Sequence, residues 1–506
     1  MGGVPGAATP YFLAHAEFLT WCQKLIDFCH TDLLKGDVMR RILGIAGVVT
    51  LVALSACSAS GSSDGATTDS TAQSVPVDTT ASGSDTVTFG TMDSPCGKGT
   101  ATVDATQNGG PTLKVVSATD KGFTITPGLD IELEDAAKGF VGWCNEQGGI
   151  QGVPLELIEV DAALFQVPAA MEKICASAFA MVGGGLVFDN QEFPRFHECK
   201  MIDFAAYTVT SAKSGSNGKI QPIPNPAQVK PTSWLLYLKK NHAEDIKKTA
   251  ILAGNFETTL NVAKGLKETM EIVGGFDSVD IIEYNSAGEA SWTPFAQKLK
   301  DNAITAMSFV GSPPGIIPLL KAMQEIGYKP NVIFNDGNFY DSSLENLGPM
   351  SDGLIARTVY SPFEESAEFP AMGDFLAIMK KYNPSGKIAG LGLQTFSAYL
   401  MFAQSVNECV KINNNVIERE CVLAQAKKIT SWNAGGLHTE TNPSAGTPPK
   451  CGTLMQLQGG KWTRLFPALG SADDNGNGWH CDEDGVANLT GVYGDATPGI
   501  DTSRPN

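Results

Sequence analysis

Short apolar segments alternate with amphipathic ones from about residue 112 onward, and this alternation constrains the fold more than any other feature. The apolar, strand-like segments lie at residues 113–116, 155–160, 180–182, 249–253, 278–283, 304–310 and 331–334. Segments with helical spacing lie between them, at about residues 130–147, 168–180, 233–240, 258–272, 294–301 and 315–326. Strands that alternate with helices form parallel sheets with both faces covered. The pattern therefore predicts an α/β fold.

This alternation occurs in two runs, each more than 100 residues long, separated near residue 230. Two runs of this length predict two Rossmann-like lobes with parallel sheets, joined by a hinge. Ligands of such sheets bind beyond the carboxyl ends of the strands. We therefore expect the ligand site in the cleft between the lobes.

The amino-terminal region has the features of an export signal. Residues 42–56 (ILGIAGVVTLVALSA) are apolar or small and follow Arg40-Arg41. They are too few to span a bilayer, which takes about 20 residues, and have the three regions of a secretory signal. The end of the run, Leu54-Ser55-Ala56-Cys57, resembles the bacterial lipobox, in which the cysteine is acylated and becomes the first residue. The alternative is a buried helix that happens to carry a cysteine.

These features predict a lipoprotein signal peptide at residues 39–56, followed by an acylated Cys57 and a flexible linker at 57–88. Residues 58–86 are almost entirely Ser, Thr, Gly, Ala and Asp, a composition that cannot bury a core. Since Met39 provides an ordinary signal start, we expect residues 1–38 to be a translation artefact or an extended n-region.

The charge balance excludes two classes of partner. The chain has 54 acidic and 36 basic residues, a formal charge of −18. A nucleic-acid-binding protein needs a basic surface, and an acidic chain is not held on an anionic membrane by charge alone. Residues 1–56 contain four acidic and four basic residues, so the exported part keeps the charge of −18.

Eleven cysteines are present, of which Cys22 and Cys29 precede the predicted cleavage site and Cys57 is the predicted lipid site. An even number of cysteines in an exported chain implies disulfides, although eight allow about a hundred connectivities. Zinc is the alternative, but only His480-Cys481 places two suitable ligands together. Pairing of sequence neighbours closes the shortest loops and favours Cys175–Cys199 and Cys409–Cys421, then Cys96–Cys144 and Cys451–Cys481.

Four segments resemble the type I periplasmic-binding-protein family, the leucine/isoleucine/valine-binding branch of ABC-importer receptors. They are Gly142–Gly152 (GWCNEQGGIQG), Ala290–Ile326 (a helix–strand–turn–helix unit), Asn331–Gly337 (NVIFNDG) and, more weakly, Gln394–Asn407 with Tyr399 and Ala403. The resemblance covers about residues 112–465. It implies that lobe 1 comprises residues 112–230 and about 360–440. Lobe 2 then comprises residues 231–359 and about 445–468, and three crossings join the lobes.

The resemblance also implies where the solute is bound, on loops after strands. The family often has a serine hydroxyl for the solute carboxylate near Val187, whereas this chain has none there. Phe256 corresponds to an aromatic residue that packs on the ligand, Ser312 replaces another aromatic residue, and Asp336 corresponds to the acidic partner of a ligand ammonium. The alternatives are a tight turn for the glycines of the loop that contains Val187, a core position for Phe256 and a turn position for Asp336. The ligand-binding residues implied are Val187, Phe188, Ala205, Tyr207, Thr208, Phe256, Ser312 and Asp336.

The tail, residues 469–506, is acidic, and its run DDNGNGWHCDED at 473–484 resembles a calcium loop and the extracellular excalibur motif. Hard cations take oxygens at alternating positions, with a glycine at the sharp turn. The ligands expected are Asp473, Asn475, Asn477, Trp479 and Asp484. Since two of them are neutral amides, we expect any binding of calcium to be weak, and we expect no other cofactor. The alternative is a polar turn between strands that Cys481 holds in place. Residues 485–506 are expected to be a frayed end.

The function expected from the resemblance is that of an extracytoplasmic, lipid-anchored solute-binding protein. It would deliver a small polar solute (an amino acid, an amide or a related compound) to an ABC permease, without chemistry of its own. The alternative is a sensing receptor or adhesion lipoprotein of the same fold. An exported hydrolase is less well supported, because none of the four histidines after Cys57 lies in a metal pattern.

Overall fold

A computed structural model of the chain describes residues 87–504. The predictions for residues 1–38, the signal peptide, Cys57 and the linker up to residue 86 lie outside this range. The strands, in chain order, are β1 (Thr88–Phe89), β2 (Met92–Asp93), β3 (Thr102–Val103), β4 (Leu113–Thr119), β5 (Leu155–Asp161), β6 (Ala180–Val182), β7 (Asp203–Phe204), β8 (Lys219–Ile220), β9 (Val229–Pro231), β10 (Lys248–Gly254), β11 (Ser278–Tyr284), β12 (Ala306–Val310), β13 (Val332–Asn335), β14 (Ile355–Thr358), β15 (Val416–Ile417), β16 (Cys451–Gln458), β17 (Lys461–Phe466), β18 (His480–Cys481) and β19 (Val486–Asn488).

The α-helices, in chain order, are α1 (Ile131–Glu146), α2 (Val167–Ser177), α3 (Arg195–Glu198), α4 (Ser211–Ser214), α5 (Ser233–Asn241), α6 (Glu257–Val273), α7 (Thr293–Asp301), α8 (Pro313–Glu325), α9 (Pro370–Tyr382), α10 (Gly390–Ile412) and α11 (Arg419–Ala426).

Lobe 1 is built on a parallel sheet with the strand order β5-β4-β6-β7-β8. Successive side chains of a strand point to opposite faces, so β4 contributes Val115 to one apolar cluster and Val116 to another. The first cluster packs against α1, α9 and α10, and the second against α2 and α3. Helices therefore cover both faces of this sheet.

Lobe 2 is built on a larger sheet with the order β11-β10-β12-β13-β14-β16-β17. Its strands from β10 to β14 pair in parallel, while β16 and β17 are antiparallel additions. One face packs against α7 and α8, and the other against α5 and α6. The α/β fold with two lobes that the sequence predicts is therefore confirmed.

Three connections lead from one lobe to the other. They run from β8 to α5, from β14 to α9, and from α11 to β16. In parallel sheets the loops after the strands all lie at one edge. The connections and these loops together surround the space between the lobes.

The segment from residue 486 to residue 504, which we call the strap, is a fourth link between the lobes. It starts with β19, which pairs with β9 in the first connection. The Glu268 carboxylate of lobe 2 then accepts hydrogen bonds from the Thr490 amide and hydroxyl and from the Tyr493 hydroxyl, at 2.6, 2.7 and 2.7 Å. Ser211 of lobe 1 donates to the Tyr493 carbonyl. The expectation of a frayed end is therefore wrong, because hydrogen bonds hold this polar segment in place.

The strap also ends on lobe 1. The Asn217 side chain bonds the amide and carbonyl of Asp501, and the Arg504 guanidinium lies 2.9 Å from a Glu420 carboxylate oxygen. Because the contacts involve both lobes, the strap bridges them outside the three connections.

Disulfides tie the peripheral segments to the lobes. They join the amino-terminal segment to α1, α2 to the residue after α3, α10 to α11, and β16 to β18. The pairings predicted from sequence neighbours are confirmed: Cys96–Cys144, Cys175–Cys199, Cys409–Cys421 and Cys451–Cys481. Because Cys481 is bonded to Cys451, it cannot be a thiolate ligand of zinc.

Most predicted elements lie within two residues of those observed. The seventh helix, for example, begins at Thr293, one residue before its predicted start. Among residues 87–504, no helix combines the length and the hydropathy needed to cross a membrane.

Candidate functional site

A cavity of about 720 Å³ lies between the lobes, at the carboxyl edges of both sheets. Loops of lobe 1, loops of lobe 2 and the connections all contribute to its lining. Ligand pockets of proteins commonly have volumes of about 300–1,000 Å³. This cavity is the candidate functional site.

The structure brings most of the predicted ligand-binding residues to this cavity. Phe188 instead lies at its rim against other rings, and Ala205 is buried, with 1% of its surface exposed. The predicted residues that do line the cavity are Val187, Tyr207, Thr208, Phe256, Ser312 and Asp336. Whether these side chains contact a solute stays a prediction.

The loop at residues 183–188 is held by a buried carboxylate. Asp120 accepts hydrogen bonds from the amides of Leu164 and Val187, at 2.8 and 2.9 Å. Burial raises the pKa of Asp120. Gly185 faces the Tyr207 ring so closely that a Cβ would lie 2.5 Å from it. The glycines of this loop therefore serve a tight turn and close packing, and the Val187 amide is already hydrogen-bonded within the protein.

Lobe 1 and one residue of lobe 2 form an acidic corner, consisting of Asp130, Glu132 and Asp341, around Lys387. Tyr207 donates a hydrogen bond of 2.6 Å to Asp130. Burial, followed by the Glu132 charge, raises the pKa of the half-buried Asp130 to about 8. Lys387 lies 3.2 Å from Glu132 and 2.8 Å from Asp341 and so bridges the lobes. With three carboxyl groups around one ammonium, this corner does not attract anions.

Lobe 2 presents an aromatic wall formed by Tyr284, Trp292 and Phe309. The ring centroid of Tyr284 lies 5.1 Å from that of Trp292 and 5.1 Å from that of Phe309, and the Tyr284 ring is stacked on the Phe309 ring. The Tyr284 hydroxyl donates to the Val310 carbonyl at 3.1 Å, which leaves the ring face apolar. Ser312 caps α8 by accepting a hydrogen bond from the Gly315 amide at 3.2 Å. The wall is therefore suited to an apolar or aromatic body of a ligand.

Rings from both lobes meet at the rim of the cavity. Phe256 of lobe 2 lies 5.2 Å from Phe188 and 5.8 Å from Phe165 of lobe 1, measured between ring centroids. Phe165 is 57% exposed, so this contact lies at the surface. The lobes thus touch across the mouth of the cleft, which is a closed arrangement.

The hinge side of the cavity carries two cations and a phenol. Lys230 donates to the Asn225 side chain at 3.1 Å, and burial lowers the pKa of Lys230 to about 8. The Arg357 Nε lies 2.7 Å from Asp336, whose side chain is 60% exposed. The Tyr360 hydroxyl is buried and has no hydrogen-bond partner among residues 87–504. The cavity is lined by all five of these residues: Asn225, Lys230, Asp336, Arg357 and Tyr360.

The tail loop is closed by hydrogen bonds of its own. Asn475 accepts from the Cys481 amide at 2.7 Å and donates to its carbonyl at 3.0 Å, and the Trp479 carbonyl accepts from the Gly476 amide at 2.9 Å. Within residues 87–504, no group of three His, Cys, Asp or Glu side chains is arranged to hold a metal ion. Calcium binding through Asp473, Asn475, Asn477, Trp479 and Asp484 stays a prediction.

Comparison with known proteins decides the family. A family model described as periplasmic binding protein matches residues 129–461. The chain belongs to this periplasmic binding protein family. No curated protein sequence matches the chain significantly.

Solved structures of periplasmic binding proteins share the fold at low identity. A fatty acid ABC transporter substrate-binding protein from Thermomonospora curvata is 15% identical, with a TM-score of 0.60, over 74% of this chain and 94% of that one. The leucine binding protein LivK from Thermotoga maritima is 14% identical, with a TM-score of 0.58, over 70% and 98% of the two chains. A solute binding protein of R. palustris in complex with 4-hydroxybenzoate is 18% identical, with a TM-score of 0.56, over 70% and 95%.

Sequence reasoning missed the acidic corner and the hinge-side groups of this periplasmic binding protein. Asp130 precedes α1 in a left-handed conformation with φ of 60°. Lys230 and Tyr360 lie in connections between the lobes, where no periodicity marks a residue. Only the position of Lys230 and Tyr360 in the connections could have indicated a role at the site, because the connections between two lobes border the cleft.

Proposed function

We propose that this periplasmic binding protein is an exported, lipid-anchored receptor that delivers a small polar solute to an ABC permease. The observation that carries the proposal is the cavity of about 720 Å³, lined by both lobes and by their connections. A solute that contacts both lobes stabilises their closed arrangement, and a permease that binds this arrangement preferentially would recognise the loaded receptor. Amino acids, amides and related compounds remain the expected solutes, with no reaction performed on them.

The solute test uses two tryptophans. Trp234 and Trp292 line the cavity, so a bound solute is expected to change the intrinsic fluorescence of the purified protein. A library of amino acids, amides and organic acids is titrated by fluorescence and calorimetry. Trp292→Phe is the control, expected to reduce the optical signal while calorimetry still detects binding. Absence of binding across the library would favour the sensing or adhesion alternative, and turnover of a solute would favour a hydrolase.

The anchor and the permease are tested separately. Cys57→Ala is expected to abolish incorporation of a labelled fatty acid and to release the protein from the membrane. Solute-loaded protein is expected to stimulate ATP hydrolysis by a reconstituted ABC permease, whereas the solute-free protein is not. Stimulation that does not depend on the solute would contradict delivery.

We also propose weak calcium binding by the tail loop. The physical basis is the alternation of oxygen-bearing residues at positions 473, 475 and 477 before Gly478. Calcium is expected to raise the melting temperature at millimolar concentration, and Asp473→Asn is expected to reduce that shift. A melting temperature that does not respond to calcium would contradict the site.

A further inference from the structure

We propose that the anionic end of the solute binds on the hinge side of the cavity, at Lys230, Arg357 and the Tyr360 hydroxyl. This inference rests on the proposed receptor function and names the chemistry of its site. It differs from the placement implied by the family resemblance, which puts the solute carboxylate on the loop near Val187.

The Tyr360 hydroxyl is the first reason. The residue is 3% exposed, and its oxygen has no hydrogen-bond partner among the described residues. A buried hydroxyl without a partner is unfavourable, and such groups in proteins are nearly always hydrogen-bonded. The Tyr360 ring packs edge-on against His438 at 5.5 Å between centroids, which fixes its position. Since Tyr360 lines the cavity, a bound solute can supply the missing acceptor.

The charge balance on this side is the second reason. Lys230 and Arg357 carry two positive charges beside one carboxylate, that of Asp336. Within the part of the chain that the structure describes, the Lys230 ammonium donates a single hydrogen bond, to the neutral Asn225 side chain. Lys230 also lines the cavity, as does Arg357, which is 17% exposed. A carboxylate would therefore find an excess of positive charge and donors with capacity to spare.

The first-lobe loop is unsuited to the same task. The Val187 amide donates to Asp120, and the residue has no hydroxyl. The nearby carboxyl groups of Asp130 and Glu132 line the cavity as well. Because Glu132 and Asp341 place two carboxylates around the single Lys387 ammonium, this side offers an anion no excess of positive charge, unlike the hinge side.

The experiment compares acids with their uncharged amides. The probes are octanoate and octanamide, 4-hydroxybenzoate and 4-hydroxybenzamide, and leucine and leucinamide, titrated into the purified protein by calorimetry. We expect at least one acid to bind, and to bind about tenfold more tightly than its amide, because a charge-assisted hydrogen bond is lost.

Variants locate the effect. Lys230→Met is expected to weaken the acid by about tenfold and to leave the amide within about twofold. Tyr360→Phe, which removes only the hydroxyl, is expected to weaken the acid by about fivefold. Lys240→Met, at an exposed position on α5, is the matched control and is expected to change neither. Circular dichroism and melting curves verify that each variant folds.

Two outcomes would overturn the inference in different ways. Binding of an amide as tightly as its acid, or equal effects of Lys230→Met and Lys240→Met, would refute the hinge-side anion site and leave the receptor function standing. Binding of none of the six probes would count against both proposals.

Discussion

On the lobe 1 side of the cleft, the residue before α1, the first turn of α1 and the loop after β7 present carboxyl groups and a phenol, whereas on the lobe 2 side the carboxyl ends of β11 and β12 present aromatic rings. Asp130, Glu132 and Tyr207 belong to the first side, and Tyr284 and Phe309 to the second. Both lobes are α/β units built on parallel strands, to which lobe 2 adds the antiparallel β16 and β17. The comparison shows that the chemistry of each wall is set by the residues at and beyond the carboxyl ends of the strands, and not by the type of unit that carries them.

The division has a consequence for how a solute lies in the cleft. The aromatic wall favours contact with an apolar body, while the acidic corner offers hydrogen bonds to groups that donate. Lys230 and Arg357 add positive charge on the hinge side of the two walls. A solute with one apolar and one polar end is therefore expected to bind in a single orientation.

The largest effect is expected in the aromatic wall. Phe309 is 2% exposed and packs on Tyr284 and Trp292, so Phe309→Ala removes core packing and leaves a void. The free energy of unfolding is expected to fall by about 3–5 kcal/mol. Tyr207→Phe, which removes one hydrogen bond from the opposite wall, is expected to cost about 1 kcal/mol. Urea denaturation measures both, and equal losses would show that the walls do not differ in this way.

The next effect concerns the pH dependence of the acidic corner. Because burial and the Glu132 charge raise the pKa of Asp130 to about 8, the folded protein holds a proton that the unfolded chain releases near pH 4. The contribution of Asp130 to the free energy of unfolding is therefore fully present below about pH 4 and is lost as the pH rises towards 8. Asp120 and Glu132 oppose ionisation of Asp130, whereas Tyr207 and Lys387 favour it.

Asp130→Asn cannot ionise and tests this directly. The variant is expected to be more stable than the natural protein at pH 8 by about 1–2 kcal/mol, since the carboxyl is half-buried and solvent screens part of the cost. The difference should shrink as the pH falls to 4. Denaturation curves at several pH values measure it. A stability difference that is the same at pH 4 and pH 8 would contradict the raised pKa.

The smallest effect is expected at the rim, where the two lobes meet. Phe256→Ala removes the ring that lies against Phe165 and Phe188. The loss is expected to be about 1 kcal/mol and to favour separation of the lobes, seen as a larger radius of gyration by small-angle scattering. Ile412→Ala, at a residue 68% exposed on lobe 1, is the control for loss of surface apolar area. An unchanged radius in Phe256→Ala would show that the rim contact does not hold the cleft closed.

The sequence predicted the lobes well because their strands and helices have strong periodicity. Ile251 and Leu252 of β10 pack on opposite faces, as a strand buried on both sides requires. The disulfides were predictable because each closes a loop between sequence neighbours. The loops after strands were located by the family resemblance, which is why six of eight predicted residues line the cavity.

What escaped prediction depends on contacts between distant segments. Lys230 and Tyr360 become cavity residues only when the two lobes are placed side by side. The pairing of Asp336 with Arg357 joins residues of neighbouring strand ends and could not be read from either alone. The strap has little apolar character, so composition suggested an unstructured end. Its order comes from backbone groups that meet Glu268, Ser211 and Asn217.

Tyr493 of the strap is hydrogen-bonded to both lobes at once. Its hydroxyl is held by Glu268 of one lobe and its carbonyl by Ser211 of the other, so a single residue joins the two bodies. The lobes cannot move apart at this point unless one of these hydrogen bonds breaks. We therefore expect opening to require local unfolding of the strap, so that the lifetime of the closed state depends on residues far from any solute.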